Sequence, residues 1–423
     1  MKIVNILSSV LILPALLVTA TSAVAYPLDG YEDTGIRRVE GARLASEGLI
    51  KGSAQPAGAL LTTDQVDLRL TGKNITLPPV DPAFTAKIKK LLGDNAGSYG
   101  IAVLDITDPD NPRYAEHRAN HRQNVGSVGK ILAALGFFQA LADTWPDDLE
   151  QRKAILRDTI MTADEFSRSD HHKVRLFDVE TRKMTRRPLK DGDQGSVWEY
   201  LDWTLSVSSN SAAAMVMRDA MLLNHFGRQY PVSEEQIDTF FSNTSGGELT
   251  RLFQKTFWEP MTRSGLSLDE IRQGSFFTRQ GKARVNGGGN SYATARTLMQ
   301  LMIKMETGEL VDEWSSRQLK RLLYMTERRI RYASAPILKD AAVYYKSGSL
   351  YKCDKTGGAK CVAYAGDIYN YMNSVAIVEE EIDGVKLQYM ATVISNVLGK
   401  NSAVDHQTFG TRVHKLIRQE HAQ

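Results

Sequence analysis

The chain has 423 residues, with 42% hydrophobic and 24% charged residues, as expected for a globular protein larger than a single small core requires. Its formal net charge of +3 is too small to predict nucleic-acid binding. After residue 25, no apolar stretch reaches the length of a membrane span. We therefore expect a globular protein with no nucleic-acid partner and no integral membrane segment in its mature form.

The first 25 residues have the pattern of a secretory signal peptide. Lys2 precedes an apolar run over residues 3–18, and Ala23-Val24-Ala25 offers a small-residue cleavage site before Tyr26. Pro14 and the cleavage site both disfavour a retained membrane anchor. The sequence thus predicts export to the periplasm or the medium.

Residues 26–81 are mixed in composition and are predicted to form an extension that packs onto a main domain at 82–420. Within that domain, alternating or continuously apolar runs predict strands near both ends of the chain, at 99–106, 113–117, 343–350, 375–379 and 387–395. Residues 131–138 are apolar on every side and predict a central, buried helix. Further helices are predicted at the two ends of the domain and through its middle, at 87–92, 196–206, 211–223, 294–305, 315–325 and 408–418. This order predicts an α+β fold, in which an antiparallel sheet is flanked by terminal helices and an all-helical subdomain is inserted at about 125–335.

Three short motifs occur in a fixed order: Ser127-Val-Gly-Lys130, Ser208-Ser-Asn210 and Lys346-Ser-Gly348. Each alone is weak, because an S-x-x-K pattern arises by chance in any chain of this length. The first motif lies at the start of a predicted buried helix, and the second joins two predicted helices. The third follows the apolar residues of a predicted strand. Together they indicate an acyl-transfer site with a serine nucleophile and a lysine base.

The chemistry of the first motif follows from its place on a helix. Ser127 and Lys130 are three residues apart, so their side chains lie on one face within reach of each other. Serine needs a base to become a nucleophile, and burial of a lysine among apolar residues favours the neutral amine that can act as that base. The unpaired Ser127 N–H at the helix start can donate to a developing oxyanion. Gly129 disfavours a helix, and only close packing accounts for it.

The three motifs resemble those of the serine β-lactamases and penicillin-binding peptidases, and most closely those of class A β-lactamases. The resemblance covers residues 82–420 and implies a β-lactamase/transpeptidase-like fold in a bacterial exported protein. It implies that Ser208 relays a proton to the leaving nitrogen and that Asn210 holds the substrate amide carbonyl. It also implies that the Ser349 N–H completes an oxyanion hole with Ser127.

The same resemblance implies that the third motif binds the carboxylate of the substrate. Lys346 would hold Ser208 and the carboxylate electrostatically, Ser347 would hydrogen-bond the carboxylate, and Gly348 would let the substrate backbone approach closely. A literal K-T-G at Lys355–Gly357 competes for this assignment. No strand is predicted before it, whereas an apolar run precedes Lys346, so we assign the motif to 346–348.

The deacylation base is where this chain departs from the family pattern. Class A enzymes carry a glutamate on the loop after the S-x-N motif, and Trp258-Glu259-Pro260 is similar to the start of that loop. Glu259 is therefore the candidate base, although Arg263 stands where the family has an asparagine. The alternative is that Glu259 is an ordinary surface charge at a turn, and Glu248 is a poorer candidate still.

The remaining polar clusters predict no metal site and no cofactor. Asp170-His171-His172 lacks the multi-histidine pattern of metallo-hydrolases and is predicted to be an exposed loop. The basic stretch over residues 173–190 is predicted to be a solvated hairpin. The only two cysteines, Cys353 and Cys361, flank a turn-like segment and are predicted to form a disulfide in an exported protein.

The sequence as a whole predicts a serine hydrolase that works through an acyl-enzyme on Ser127. The first hypothesis is class A-like hydrolysis of β-lactams. The second is a cell-wall D,D-peptidase that β-lactams inhibit, and the third is an inactive member that binds a peptide in the groove. The predicted substrate is accordingly a small β-lactam or a cell-wall peptide.

Overall fold

A five-stranded antiparallel sheet lies at the centre of the computed structural model, which describes residues 27, 29–52, 57–326, 329–354, 356 and 361–422. The order across the sheet is β2-β1-β11-β10-β9, so strands from both ends of the domain lie side by side. The strands are β1 Tyr99–Asp105, β2 Arg113–His117, β3 Ile160–Thr162, β4 Val174–Asp178, β5 Lys183–Arg187, β6 Gln194–Ser196, β7 Ile271–Arg272, β8 Tyr292–Ala293, β9 Ala342–Lys352, β10 Tyr369–Ile382 and β11 Val385–Asn396. The six short strands β3 to β8 form three separate two-stranded pairs.

Fourteen α-helices fall within the part of the chain that the structure describes. They are α1 Gly30–Thr34, α2 Arg37–Ser46, α3 Pro82–Lys90, α4 Lys130–Thr144, α5 Leu149–Asp158, α6 Val197–Leu205, α7 Asn210–Phe226, α8 Glu234–Asn243, α9 Gly246–Phe257, α10 Glu259–Arg263, α11 Arg279–Arg284, α12 Ala295–Glu306, α13 Glu313–Tyr324 and α14 Ser402–Glu420. None of these described helices has the length and apolar character needed to cross a membrane.

The sheet separates two apolar cores, and the alternation of side chains along β1 shows how. Ile101 and Val103 face a core shared with α3 and α14, whereas Ala102 and Leu104 face the larger core of the helical layer. Because both faces are covered, every residue of β1 is buried. The predicted α+β arrangement, with a sheet between terminal helices and a helical layer, is confirmed.

Helix α4 positions the first motif. All of its residues from Lys130 to Leu141 are buried, because α6, α7, α9 and α13 pack around it. A 3-10 turn over Gly126–Gly129 leads directly into it and carries Ser127. The prediction of a central helix that is apolar on every side is therefore correct, and the half-buried Ser127 lies just before its first residue.

The N-terminal extension packs onto the helical layer through α2 and the segment that follows it. Ile36 and Val39 enter the larger apolar core together with Val66 and Leu70. The buried side chain of Arg38 donates two hydrogen bonds to Asp202 on α6. The segment predicted to be a signal peptide, residues 1–25, lies outside the described residues.

A disulfide joins Cys353 and Cys361 just after β9. The basic stretch includes a hairpin of β4 and β5, and most of β5 is exposed, as predicted for a solvated hairpin. Lys355 and Gly357 of the competing K-T-G lie outside the described residues.

Candidate active site

The buried side-chain nitrogen of Lys130 contacts the serine of its own motif and two residues of the S-x-N motif. Its Nζ lies 2.8 Å from Ser127 Oγ and 2.7 Å from Asn210 Oδ1. It also lies 2.9 Å from the Ser208 carbonyl oxygen and 3.4 Å from Ser208 Oγ. The lysine has no exposed surface, and its Nζ lies 4.7 Å from the centre of the Phe277 ring. The spacing of three residues therefore places a nitrogen base against the serine hydroxyl.

The S-x-N motif forms a strained turn before α7. Ser208 has a φ of 64°, in the left-handed region that residues other than glycine seldom occupy. The middle residue, Ser209, caps α7 by accepting a hydrogen bond from the Ala212 N–H at 3.1 Å. The turn therefore aims the side chains of Ser208 and Asn210 at Lys130, while Ser209 holds the helix.

Lys346 on β9 approaches the same turn from the sheet. Its Nζ donates to Ser208 Oγ at 2.9 Å, and only 2% of the residue is exposed. Ser208 Oγ thus lies between the two lysines, Lys130 and Lys346. A hydroxyl held by two nitrogen groups can pass a proton between a substrate and either of them.

Two glycines let the edge of the sheet approach the nucleophile turn. A Cβ on Gly348 would lie 1.9 Å from the Val125 carbonyl oxygen and 2.9 Å from Ser127 N. A Cβ on Gly126, which has a φ of 53°, would lie 3.0 Å from Ser349 N. Because no side chain intervenes, the backbones at Ser127 and Ser349 are brought together as an oxyanion hole requires.

A cavity of about 380 Å³ opens over Ser127. One side of it is strand β9 from Ser347 to Tyr351, together with Arg331, which we term the strand wall. The other side consists of residues from two loops and the short helix α11, which we term the loop wall: His171, His172, Gln273, Ser275, Phe276, Phe277 and Lys282. Ser208 and Asn210 lie between the two walls and complete the lining near Ser127.

A family model described as "Beta-lactamase enzyme family" matches residues 83–380. The chain belongs to this family. It is thus a hydrolase of the serine β-lactamase and penicillin-binding protein type, as the three motifs and their geometry indicate. The recognition made from the sequence is confirmed at this level.

Solved structures share the fold of this β-lactamase family member at low sequence identity. A mutant of PBP-A, solved as an acyl-enzyme complex with penicillin G, is 14% identical with a TM-score of 0.50, covering 81% of this chain and 100% of that one. A β-lactamase from Chitinophaga pinensis DSM 2588 is 15% identical with a TM-score of 0.50, covering 79% and 98%. No curated protein matches the chain.

Glu259 does not reach the site, which corrects its expected position as the deacylation base. It is exposed and begins α10, one turn before Arg263. Arg263 pairs with Asp143 at 2.7 Å, at the end of α4 opposite Lys130. A helix rise of 1.5 Å per residue puts Asp143 roughly 20 Å from Lys130. Trp258 itself donates to the Gln273 carbonyl oxygen at 2.8 Å, but the chain then turns away from the cavity, and Glu259 is exposed.

Arg263 forms its ion pair with Asp143 and not with Glu259. The hydrogen bond that Arg263 donates to Asp143 is the main cause of the raised pKa of its guanidinium. Glu248 lies at the exposed start of α9, where its carboxylate accepts hydrogen bonds from Ser245. Neither glutamate is part of the cavity lining, and no described residue of that lining is Asp or Glu.

The side chain of Asp170 is buried, which corrects the prediction of an exposed loop for this residue. It is 1% exposed, and one oxygen accepts from Ser209 Oγ, Asn210 N and Ser211 N at 2.7–3.1 Å. The other oxygen accepts from the His172 ring at 2.6 Å. Burial opposes ionisation, but the hydrogen bonds from His172 and the helix amides lower the pKa of Asp170 well below its usual range. The carboxylate therefore anchors the S-x-N turn to the loop wall.

The donor atoms of Asp170, His171 and His172 lie within 4.8 Å of one another, close enough to consider a metal ion. Both Asp170 oxygens already accept hydrogen bonds, however, and one of them spans the first turn of α7. This is the geometry of a helix cap joined to an oriented histidine. We therefore assign the cluster a positioning role in the site.

Gly129 gains an explanation that the sequence did not supply. A Cβ at this position would lie 2.4 Å from Gln273 Oε1, so the glycine admits the glutamine side chain against the nucleophile helix. Gln273 is 2% exposed and donates through Nε2 to the Ser275 carbonyl, which fixes its amide orientation. Its Oε1 has no hydrogen-bond partner within the described residues. A neutral amide therefore lies beside the nucleophile turn.

Proposed function

We propose that the protein is an exported serine hydrolase in which Ser127 forms an acyl-enzyme with a β-lactam or a related cell-wall amide. The observation that carries this proposal is the contact of Lys130 Nζ with Ser127 Oγ at 2.8 Å inside a buried polar network. A chance S-x-x-K would not also bring Ser208, Asn210 and Lys346 to the same point. The intact network also disfavours an inactive peptide-binding member.

In the acylation step, neutral Lys130 accepts the proton of Ser127 as Oγ attacks the amide carbonyl carbon. The developing oxyanion accepts hydrogen bonds from the backbone N–H groups of Ser127 and Ser349. The C–N bond then breaks, and the leaving nitrogen takes a proton from Ser208. The proton on Lys130 returns to Ser208 Oγ, which lies 3.4 Å from Lys130 Nζ, so the charges balance at the acyl-enzyme.

Substrate binding is assigned to the groups around this network. Asn210 would donate its amide N–H to the carbonyl oxygen of the substrate's acyl side, since its Oδ1 faces Lys130. Lys346 and Ser347 would bind the substrate carboxylate, and Gly348 would let it lie against the strand wall. The coordinating groups are buried or half-buried, so they need little reorganisation when a substrate enters.

Deacylation separates the two enzyme hypotheses. Fast β-lactam hydrolysis needs a base that activates water, and the expected base, Glu259, lies away from the cavity. The described lining contains no other carboxylate, and Gln273 beside the nucleophile helix cannot accept a proton at neutral pH. This observation favours the second candidate, a cell-wall D,D-peptidase that β-lactams acylate for long periods.

Export is part of the proposal and is supported by two features. The first is the signal-peptide pattern at residues 1–25, and the second is the Cys353–Cys361 disulfide, since disulfides persist in oxidising compartments. N-terminal sequencing of protein from the periplasm or medium should find a start near Tyr26. Full-length protein that begins at Met1 in the cytoplasm would contradict export.

The experiment that tests the function is a time course of intact-protein mass spectra after adding benzylpenicillin, combined with a D-alanine release assay on an acyl-D-Ala-D-Ala peptide. A long-lived adduct with D-alanine release supports the peptidase. A short-lived adduct with opening of the β-lactam ring supports the β-lactamase. If no adduct forms and no D-alanine is released, the result supports the binding protein and contradicts acyl transfer.

A further inference from the structure

The loop wall is assembled from two segments that are far apart in the sequence. Thr278 Oγ1 donates to the Phe166 carbonyl oxygen at 2.7 Å, which fixes the loop before α11 to the segment that carries the histidines. His171 and His172 stack with their ring centres 4.5 Å apart. Lys282 on α11 lines the cavity from the same side. The loop wall therefore presents three basic side chains as one surface.

No carboxylate offsets these groups within the described lining of the cavity. The sequence from residue 271 to residue 305 contains no Asp or Glu, although it contains six Lys or Arg residues. Asp170, which contacts His172, is buried, and its charge is shared by donors at the start of α7. The loop wall therefore presents the positive charge of Lys282 to the cavity with no carboxylate of the described lining opposite it.

The strand wall is positive as well, through Arg331, and the buried Lys346 precedes it on β9. The proposed function already assigns that wall to the substrate carboxylate, which would neutralise its positive charge. The loop wall adjoins Asn210, because Asp170 contacts both Asn210 N and His172. Asn210 is assigned to the amide carbonyl of the acyl side, so the acyl side chain would extend along the loop wall.

We propose that the loop wall selects substrates whose acyl side chain carries a negative charge, a carboxylate being the group expected in a cell-wall peptide. Lys282 supplies the attraction, and the ring N–H groups of the histidine pair are hydrogen-bond donors beside it. This proposal rests on the proposed function, since it requires acylation at Ser127. It adds the chemical class of the substrate's second recognition group, which the three motifs do not specify.

The test uses three penicillins that differ mainly in charge at one carbon of the acyl side chain. Carbenicillin carries a carboxylate there, benzylpenicillin a hydrogen and ampicillin an ammonium group. Second-order acylation rates of the wild-type protein should fall in that order. We expect about two- to fivefold per unit of charge, the range that exposed ion pairs support, and a smaller spread at high salt.

Two variants locate the effect. In Lys282→Gln the ratio of the carbenicillin acylation rate to the benzylpenicillin acylation rate should fall toward one. Lys255→Gln is the matched control, because Lys255 is exposed on α9 and does not line the cavity. Lys255→Gln should keep the wild-type order of the three acylation rates.

The outcomes separate this proposal from the proposed function. If none of the three penicillins acylates Ser127, the proposed function fails. If all three acylate at equal rates, or ampicillin is preferred, the function stands and the selection for a negative side chain is overturned. A carbenicillin preference that is unchanged in Lys282→Gln would also overturn it.

Discussion

The strand wall and the loop wall meet at Ser127 but are built in different ways. The strand wall consists of regular structure: β9 pairs with β10 over its whole length, and its register fixes Lys346, Gly348 and Ser349. The loop wall consists of turns and one short helix that are joined by side-chain hydrogen bonds such as that from Thr278 to Phe166. The residues proposed to carry out acylation lie on or next to regular helices and strands, whereas the groups that would distinguish substrates lie mainly on the loops.

The largest expected effect tests the residues that lie on regular secondary structure. Lys130→Ala should slow acylation by benzylpenicillin by about 10²–10⁴-fold, the usual worth of general-base catalysis. Stopped-flow measurement of acylation checks this, with Lys255→Ala as an exposed control that should behave as wild type. Equal rates in Lys130→Ala and wild type would remove Lys130 as the base.

Gly348→Ala tests the close approach of the strand wall to the nucleophile. Its Cβ would lie 1.9 Å from the Val125 carbonyl oxygen, so the backbone must move and the oxyanion hole must widen. We expect a loss of about 1–3 kcal/mol in the free energy of unfolding, together with a large loss of acylation rate. Denaturant titration measures the first quantity.

Gly246→Ala is the control for that substitution, because a Cβ there meets nothing within 4 Å. It should leave both stability and acylation unchanged. If Gly348→Ala also left the unfolding free energy and the acylation rate unchanged, β9 and the nucleophile turn could not be in close contact.

Asp170→Asn tests the link between the loop wall and the S-x-N turn. The amide cannot accept from every donor that the carboxylate binds, so the turn should loosen, at a cost of about 1–3 kcal/mol in unfolding free energy. Acylation should fall because Asn210 and Ser208 are less well held. Asp191→Asn, which removes only an exposed pair with Arg168, should have little effect on either quantity.

The smallest expected effect concerns Glu259. Glu259→Gln should leave the lifetime of the acyl-enzyme within about twofold of wild type, since surface substitutions away from a site have little effect. Mass spectra recorded after removal of excess penicillin measure this lifetime. A much longer lifetime in the variant would return Glu259 to the mechanism and would contradict its position outside the cavity lining.

The sequence predicted the regular part of the molecule well because periodicity reports on faces that are buried. The apolar run after Lys130 predicted a central helix, and the run before Lys346 identified the strand that carries the third motif. Helical spacing alone was enough to predict that Ser127 and Lys130 meet. These features depend on neighbours within a few residues, which a sequence displays directly.

The loop wall could not be predicted in the same way, because its contacts join residues that are far apart in the chain. Asp170 caps a helix that begins 40 residues later, and no local pattern marks it as buried. Gln273 and Gly129 explain each other only when their segments are placed together. Glu259 was misplaced because a short matching sequence, Trp-Glu-Pro, does not fix which side chain faces the cavity: Trp258 contacts Gln273, whereas Glu259 is exposed.

The measurement that tests the central claim most directly maps the residue that benzylpenicillin modifies, by peptide mass spectrometry of wild type, Ser127→Ala and Ser275→Ala. Ser275 lines the same cavity and is the matched serine. We predict one adduct on the peptide that contains Ser127 in wild type and Ser275→Ala, and none in Ser127→Ala that remains folded. An adduct that persists in Ser127→Ala, or that maps to another residue in wild type, would contradict the account.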